Sequence, residues 1–438
     1  MALIDFKVLP GIDKQDTTSG AENRWVDCDN TRFRYGLPEK VGGWSSLVTD
    51  TIVGVARRQF AFVDLDGNRY IAIGTDKFLL IYFEGQLYDV TPLKATLSSC
   101  TIATTSGSAV CSITKASHGL SAGDIVLLDN VTLPVGTGYA NSDFEDKLFQ
   151  VTSITSSSVF TITQSSNATA TVSTGGSIDV KPYEQVGPAE QSYGYGWGID
   201  TWGTGNWGEA ASASDVSLEP GLWSLSNFGE VLVATIANGK TFTWNAGDAA
   251  RLTTRASTTT SGFETTNNPT ATRVTLVSPT TRHLIHLGTE TTIGDTATQD
   301  DMFIRFSDQE DINDYTPTAI NSAGTQRLQD GTKIIGALKA KETILVWTDN
   351  ALYTMKFVGA PFTFGFEQVG TNCGLIGKNA AVEIDGVAYW MSPNGFFAFD
   401  GTVKSIPCSV QDYVYDQADT TKGQQVYAGL NNQFTEVV

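Results

Sequence analysis

The sequence predicts an all-β protein, a degenerate β-propeller-like body carrying an inserted small β-sandwich or barrel domain. Three observations predict it. The composition suits strands joined by tight turns: Thr, Ser and Gly recur throughout, and 9 Trp, 14 Tyr and 22 Phe stand among 438 residues. Few stretches supply the Ala, Leu, Glu and Lys of a long helix. A hairpin unit recurs along the chain, and residues 95–182 differ in character from the rest.

The recurring unit is a turn bearing Asn or Asp, followed by an apolar strand. One copy runs from Thr75-Asp76-Lys77 to Phe83-Glu84-Gly85 and another from Asn238-Gly239-Lys240 to Asn245-Ala246-Gly247. A third runs from Thr348-Asp349-Asn350 to Lys356-Phe357, and a fourth from Pro393-Asn394-Gly395 to Phe399-Asp400-Gly401. Apolar strands at 231–236, 343–347 and 387–391 precede the last three turns. Repeated hairpins are the mark of propeller blades. Their unequal spacing fits a propeller with insertions; one large β-sandwich is the alternative.

In chain order, residues 1–50 read as an irregular arm leading into strands, with Arg24, Arg32 and Arg34 interleaved with Trp25, Phe33 and Tyr35. That interleaving occurs in single-strand nucleic-acid patches. Three arginines are few for such a grip, and packing on the body with pairing to acidic groups is the other reading. Residues 51–94 form the first part of the propeller-like body, with strands at 59–65, 69–74, 78–83 and 87–90 around the hairpin turn Asp66-Gly67-Asn68. In 95–182 Ser and Thr dominate and aromatics thin out, with alternating strands at 99–104, 109–115, 125–128 and 159–164. This is the inserted domain, which a surface loop accommodates at low cost. Residues 183–438 hold the remainder of the body, beginning with the Gly/aromatic run Tyr193-Gly194-Tyr195-Gly196-Trp197-Gly198, Trp202-Gly203 and Asn206-Trp207-Gly208, whose rings need cover.

Net charge is −19, from 47 acidic and 28 basic residues. No Lys/Arg cluster of the kind that displaces phosphate counterions is present. The five cysteines are odd in number and form no CxxC, so buried thiols are expected and a Cys100–Cys111 bridge is the alternative. The first residues lack a signal-peptide run, and no stretch reaches the ~20 apolar residues of a membrane helix, which reads as a soluble chain made in the cytoplasm.

No catalytic, cofactor-binding or metal-binding residues are assigned. His283 and His286, three apart in a strand-like run, point to opposite faces and do not suit one metal. His118 sits at a turn. No GxSxG, HExxH or GxxxxGK[ST] occurs, and no His–Asp–Ser set is evident. Asp64-Leu65-Asp66-Gly67-Asn68 reads as a hairpin turn, since it lacks the ligand spacing and terminal Glu of a calcium loop. Asp308, Glu310, Asp311 and Asp314 read as a solvated acidic loop. No motif singles out a carboxylate pair for glycoside hydrolysis, although a carbohydrate-binding or glycoside-hydrolysing β-propeller is the leading alternative to a non-enzyme.

Several segments together resemble one family. They are Phe6-Lys7-Val8-Leu9-Pro10-Gly11-Ile12, Arg32-Phe33-Arg34-Tyr35-Gly36, Pro38-Glu39-Lys40-Val41-Gly42-Gly43-Trp44, and Ile304-Arg305-Phe306-Ser307-Asp308-Gln309-Glu310-Asp311 with Tyr315-Thr316-Pro317. Val346-Trp347-Thr348-Asp349, Leu352-Tyr353 and Gly374-Leu375-Ile376-Gly377 follow in the same order, and Ala116-Ser117-His118-Gly119-Leu120 resembles phage virion modules. Their order is similar to that of podovirus tail proteins of the nozzle, or tail tubular protein B, type and the related packaged-DNA stabilisation proteins. The resemblance implies a non-enzymatic virion tail subunit that assembles with itself as a ring, a hexamer, below an adaptor and above fibre or tip proteins. It implies a lumen that retains and then conducts DNA without sequence-specific binding, no cofactor and no membrane segment. A receptor-binding tail component is the further alternative. The last residues, Gln433-Phe434-Thr435-Glu436-Val437-Val438, read as part of a strand, and the resemblance implies either further aromatic-rich sequence beyond them or a domain that closes differently.

Overall fold

Short apolar runs bounded by Gly, Asn and Asp become strands throughout the computed structural model, which describes residues 8–43, 45–48, 50–191, 219–258 and 267–438. The Gly/aromatic run at 193–208, the opening Phe6-Lys7 and Trp44 lie outside the described residues. The arm pairs β1 (Leu9–Ile12) in parallel with β2 (Arg24–Trp25), and β3 (Thr31–Arg34) with β4 (Leu37–Lys40) as a hairpin. Blade 1 follows as β5 (Ala56–Val63), β6 (Arg69–Thr75), β7 (Leu79–Phe83) and β8 (Gln86–Asp89), an antiparallel meander.

The inserted region is a closed six-stranded barrel. Its strands are β9 (Leu97–Thr104), β10 (Val110–Thr114), β11 (Ile125–Thr132), β12 (Lys147–Ser156), β13 (Val159–Thr163) and β14 (Val172–Pro182), closing in the order β10-β13-β12-β11-β14-β9. Closure leaves no strand edge unpaired. Ile102, Ile113, Phe144 and Phe160 fill the interior, with the free thiols of Cys100 and Cys111 buried among them.

The chain leaves and rejoins the body at one point. Lys94 N donates to Pro182 O (2.8 Å) and Glu184 N to Pro92 O (3.0 Å), across the bridge between Leu93 and Tyr183. Because the ends meet and the barrel has its own core, replacing residues 95–181 by a short Gly/Ser connector is expected to leave the body folded. Retention of a cooperative near-UV circular-dichroism transition checks this; a product without one refutes it.

Four more blades complete the body. Blade 2 is β15 (Trp223–Phe228), β16 (Val231–Ile236) and β17 (Thr241–Asn245), with Ser257 bridging to Thr243 at the outer edge. Blade 3 is β18 (Thr272–Val277), β19 (Leu284–Thr289), β20 (Phe303–Phe306) and β21 (Gly324–Arg327). Blade 4 is β22 (Ile334–Lys339), β23 (Ile344–Thr348), β24 (Leu352–Gly359) and β25 (Thr363–Gly370). Blade 5 is β26 (Ala381–Ile384), β27 (Val387–Ser392), β28 (Gly395–Phe399) and β29 (Val403–Ser405). The short helix α1 (Gln411–Gln417) and the hairpin of β30 (Leu430–Asn431) and β31 (Glu436–Val437) end the chain. The residues 433–435 that read as strand form the turn of that hairpin.

The first strands of successive blades adjoin one another, β5 to β15, β15 to β18, β18 to β22 and β22 to β26, so they are the inner strands of a propeller-like ring. Burial sits between blades. One apolar cluster joins blades 1 and 2 through Phe62, Tyr70, Trp223 and Trp244; a second joins blades 3 and 4; a third joins blades 4 and 5 through Trp347 and Trp390. None of these clusters spans blades 5 and 1. There Asn379 Oδ1 accepts from Arg58 Nη1 (3.2 Å) and Asn379 Nδ2 donates to Arg57 O (3.0 Å). The C-terminal segment docks beside this junction, with Ala428 N donating to Asn379 O (2.8 Å).

The arm lies on the same C-terminal region. Lys14 N donates to Ser409 O (2.9 Å), Arg32 pairs with Glu436 (3.5 Å) and stacks over the Phe434 ring, and Arg24 pairs with Asp13 (3.7 Å). Arg24 and Arg32 thus meet acidic partners and Arg32 and Arg34 face the Phe434 ring, while Trp25 packs on Phe33 within the arm and Tyr35 is exposed. Among the described residues, no helix is long and apolar enough to cross a membrane.

Candidate functional site

Because side chains alternate along an inner strand, one set faces the blade on one side and the other set the blade on the other side. In β15, Trp223 and Leu225 pack into the cluster with blade 1, while Ser224 and Ser226 turn to blade 3. There Ser224 Oγ accepts from Thr275 N (3.2 Å) and Ser226 Oγ from Val277 N (3.1 Å), so side-chain hydroxyls stitch the blades where no ladder runs. Around the axis all five inner strands line a cavity of about 160 Å³. Its walls mix apolar residues, Phe60, Leu225, Leu276 and Leu338 among them, with polar ones.

Into this cavity come Arg58 from β5, Lys339 at the end of β22, and Lys378 just ahead of β26. All three are half-buried, lining a space that stays open to water. Lys339 Nζ donates to Ser226 Oγ (2.7 Å), Lys378 Nζ to Arg273 O (3.1 Å), and Arg58 to Asn379 as above. Each of these acceptors is neutral. Among the described residues, none of the three cations has a carboxylate within ion-pair distance.

Burial lowers the Lys378 ammonium to about 7, helped by the charges of Arg58 and Arg273 and opposed by Glu219. Burial, then the charge of Arg58, lowers Lys339 to about 8. Arg58 is lowered by burial as well.

A contrasting group stands beside them. Arg273 donates through Nη2 to both oxygens of Glu219 (2.8 Å each) and pairs with Asp301 (3.3 Å), and Lys333 also reaches Glu219 (2.9 Å). Burial alone would raise the Glu219 carboxyl, but Arg273 and Lys333 outweigh it and hold it at about 2. That network is charge-compensated; the axial trio is not.

The residues weighed from sequence fall elsewhere. His286, fully buried in blade 3, lies between Thr272 Oγ1 (3.1 Å) and Tyr315 OH (2.9 Å). His283 lies between Thr281 Oγ1 (2.7 Å) and Ser322 Oγ (2.9 Å). The two rings share no partner. Burial lowers His283 to about 4 and His286 to about 3, so both are neutral at pH 7. His118 Nδ1 accepts from Leu120 N (3.0 Å), which leaves Nε2 to donate to Ser156 O (3.0 Å).

The structure does bring Asp308, Ser322 and His283 together, a set that sequence spacing did not reveal. The order is inverted relative to a nucleophile triad. Ser322 donates its one proton to Asp308 Oδ1 (2.5 Å) and so receives, rather than gives, the bond with His283. The set pins a blade 3 loop and does not activate a hydroxyl.

The acidic loop is likewise occupied. Asp311 caps Asn313 N (2.8 Å), Asp314 accepts from Thr316 N (3.0 Å), and Glu310 faces Arg282 (3.6 Å). Asp64 accepts from Asn68 N (2.8 Å) and Tyr70 OH (3.0 Å), as a hairpin turn would. Asp129, Glu145 and Asp146 place carboxylate oxygens within 4.8 Å of one another in the barrel. Asp129 pairs there with Lys181, and Glu145 accepts from Asn130 N (3.1 Å) and Val131 N (2.7 Å).

No protein-family model matches this chain, and no curated protein does. Among solved structures it is similar to the phage phi92 endosialidase, at 15% identity and a TM-score of 0.24, over 81% of this chain and 55% of that one. The chain thus spans little more than half of the endosialidase. It is also similar to AztD from Citrobacter koseri, at 11% identity and a TM-score of 0.31, over 80% and 70% of the two chains. Likenesses this loose carry no argument about activity or partners.

Proposed function

We propose that this chain is a non-catalytic structural subunit of a bacteriophage tail, of the nozzle type, that assembles with itself as a ring through which DNA is retained and then passed. The observation that carries the non-catalytic part is the use made of the histidines: all three are enclosed and hydrogen-bonded within blade 3 or the barrel. The tail assignment is supported by the ordered resemblance of the arm, blade 3 and blade 4 segments to podovirus tail proteins. Those segments hold structural positions here. Ser307 Oγ, for one, accepts from Leu284 N (3.0 Å) to lock β19 to the loop after β20.

A cavity of about 160 Å³ is far too small to pass a duplex, so the channel lies between copies and not along one propeller axis. Closed rings arise from heterologous interfaces whose rotation closes. Net charge of −19 suits a lumen wall that DNA slides past. Of the tryptophans described, Trp223, Trp244, Trp347 and Trp390 are buried and offer no exposed platform to a sugar.

Electron microscopy of particles labelled with an antibody to the barrel tests the reading. Label on the tail axis, in a ring of copies of the 46.9 kDa chain, is expected. Label on the capsid or on peripheral fibres overturns it.

A further inference from the structure

We propose that the axial cavity is a binding site for a small multivalent oxyanion, of the phosphate or polycarboxylate class, held by Arg58, Lys339 and Lys378. Three cations converge on one small space in a chain whose net charge is −19. They stand half-buried beside apolar side chains, where like charges repel more strongly than in open water. Arg273, a short way off, shows how this fold balances a buried cation: with Glu219 and Asp301. The axial trio has only Ser226, the Arg273 carbonyl and Asn379, which orient the cations without neutralising them.

Donor capacity is also left over. An ammonium has three N–H donors and a guanidinium five. Among the described residues, Lys339, Lys378 and Arg58 each spend a single hydrogen bond on the protein. The remaining donors come from blades 4, 5 and 1, which adjoin one another around the ring, and line the same space. An anion at their centre gains charge-assisted bonds from each and relieves their mutual repulsion. The sign of the site excludes metal ions, and its volume excludes nucleic acid and oligosaccharides.

Lys378 and Lys339 gain their full charge only when an anion arrives or the pH falls. Binding therefore takes up protons and tightens from pH 8.5 to pH 6.5. Arg58, Arg273 and Glu219 are the charged groups that act on Lys378, and Arg58 the one that acts on Lys339; Glu219, held at about 2, stays ionised across that range.

The test is calorimetric titration and thermal melting of the full chain with sodium phosphate and, separately, sodium citrate, against sodium chloride of equal ionic strength. One or both anions should raise the midpoint beyond chloride, and the larger shift identifies the class. Affinity should fall about ten-fold from pH 6.5 to pH 8.5, and about ten-fold or more in Lys378→Met and in Lys339→Met. The anion-free Lys378→Met protein should melt no lower than the parent, because a strained charge has gone. No shift beyond chloride at either pH overturns the proposal, as does an undiminished shift in the Lys339→Met, Lys378→Met double variant. Should that double variant not fold, an undiminished shift in Arg58→Gln overturns it equally.

Discussion

Trp223→Ala is expected to lower the unfolding free energy of the propeller body by about 3–5 kcal/mol, the range for emptying a buried tryptophan site. Trp223 is fully buried between blades 1 and 2, and its indole Nε1 donates to Thr75 O (2.9 Å). Its side chain lies against Gly74, where an added Cβ would come within 2.5 Å of Trp223 Cδ1. A small residue on β6 is thus the counterpart of a large one on β15. Gly74→Ala alone should cost roughly 1–3 kcal/mol by overpacking. In the Trp223→Ala background the new methyl has a hole to occupy, and the cost should largely vanish. The double-mutant cycle then yields a coupling of about 1–3 kcal/mol. Denaturant titrations read by near-UV circular dichroism measure all four proteins. Barrel residues share none of the Trp223 cluster, so a barrel-specific probe should not shift. A loss under ~1 kcal/mol, or purely additive costs, would refute this account of the blade junction.

The same junction shows why part of the fold was legible in sequence and part was not. The four hairpins found by their Asn/Asp turns are the second and third strands of blades 1, 2, 4 and 5: β6–β7, β16–β17, β23–β24 and β27–β28. Their turns are tight, so the signal is local. In blade 3 the corresponding strands, β19 and β20, are joined by a long connection, 290–302, with its own short 3-10 turn at Thr296–Thr298. No compact turn marked that blade, and its two strands read as unrelated runs. Inner strands were faint for another reason. In β15 the sequence Trp-Ser-Leu-Ser serves two different blades, so its polar residues look solvent-facing although Ser224 and Ser226 are buried bridges. Closure of the inserted strands into a barrel rested on long-range pairing of β9 with β14, which no local pattern announces.

The axial cations were invisible for the same cause. Arg58, Lys339 and Lys378 lie on three blades and share no spacing; ring closure, with Asn379 at the junction, brings the first beside the last. The histidines were legible only in part. Their separation in a strand argued correctly that the rings have different surroundings, but not that Thr272, Tyr315, Thr281 and Ser322 would enclose them. Thr272 comes from β18, Thr281 from the turn before β19, and Tyr315 and Ser322 from the loop before β21.

That enclosure makes the body acid-sensitive in a definable window. In the unfolded chain His283 and His286 titrate near the ordinary imidazole value of 6.5, and in the fold at about 4 and about 3. Between those limits the unfolded chain binds protons that the native one refuses, so stability rises with pH. The stabilisation is fully present above pH 6.5 and is lost as pH falls toward the folded values. At about 1.4 kcal/mol per pKa unit, each histidine costs roughly 2–3 kcal/mol by pH 4.5 to 4. Glu219, held at about 2 from 4.5, contributes its own loss only below pH 4.5. Lys378 and Lys339, lowered from 10.5 to about 7 and about 8, also give stability that rises with pH, but mainly above pH 7. The interval from 6.5 to 4.5 thus belongs mainly to the two histidines. Urea titrations at pH 7, 5.5 and 4.5 should show the parent losing several kcal/mol. A His283→Gln, His286→Gln double variant should start less stable at pH 7, through its disturbed buried hydrogen bonds, yet change little across the window. Parallel slopes for the two proteins would mean that the acid loss arises elsewhere, and that neither ring is held neutral by its burial.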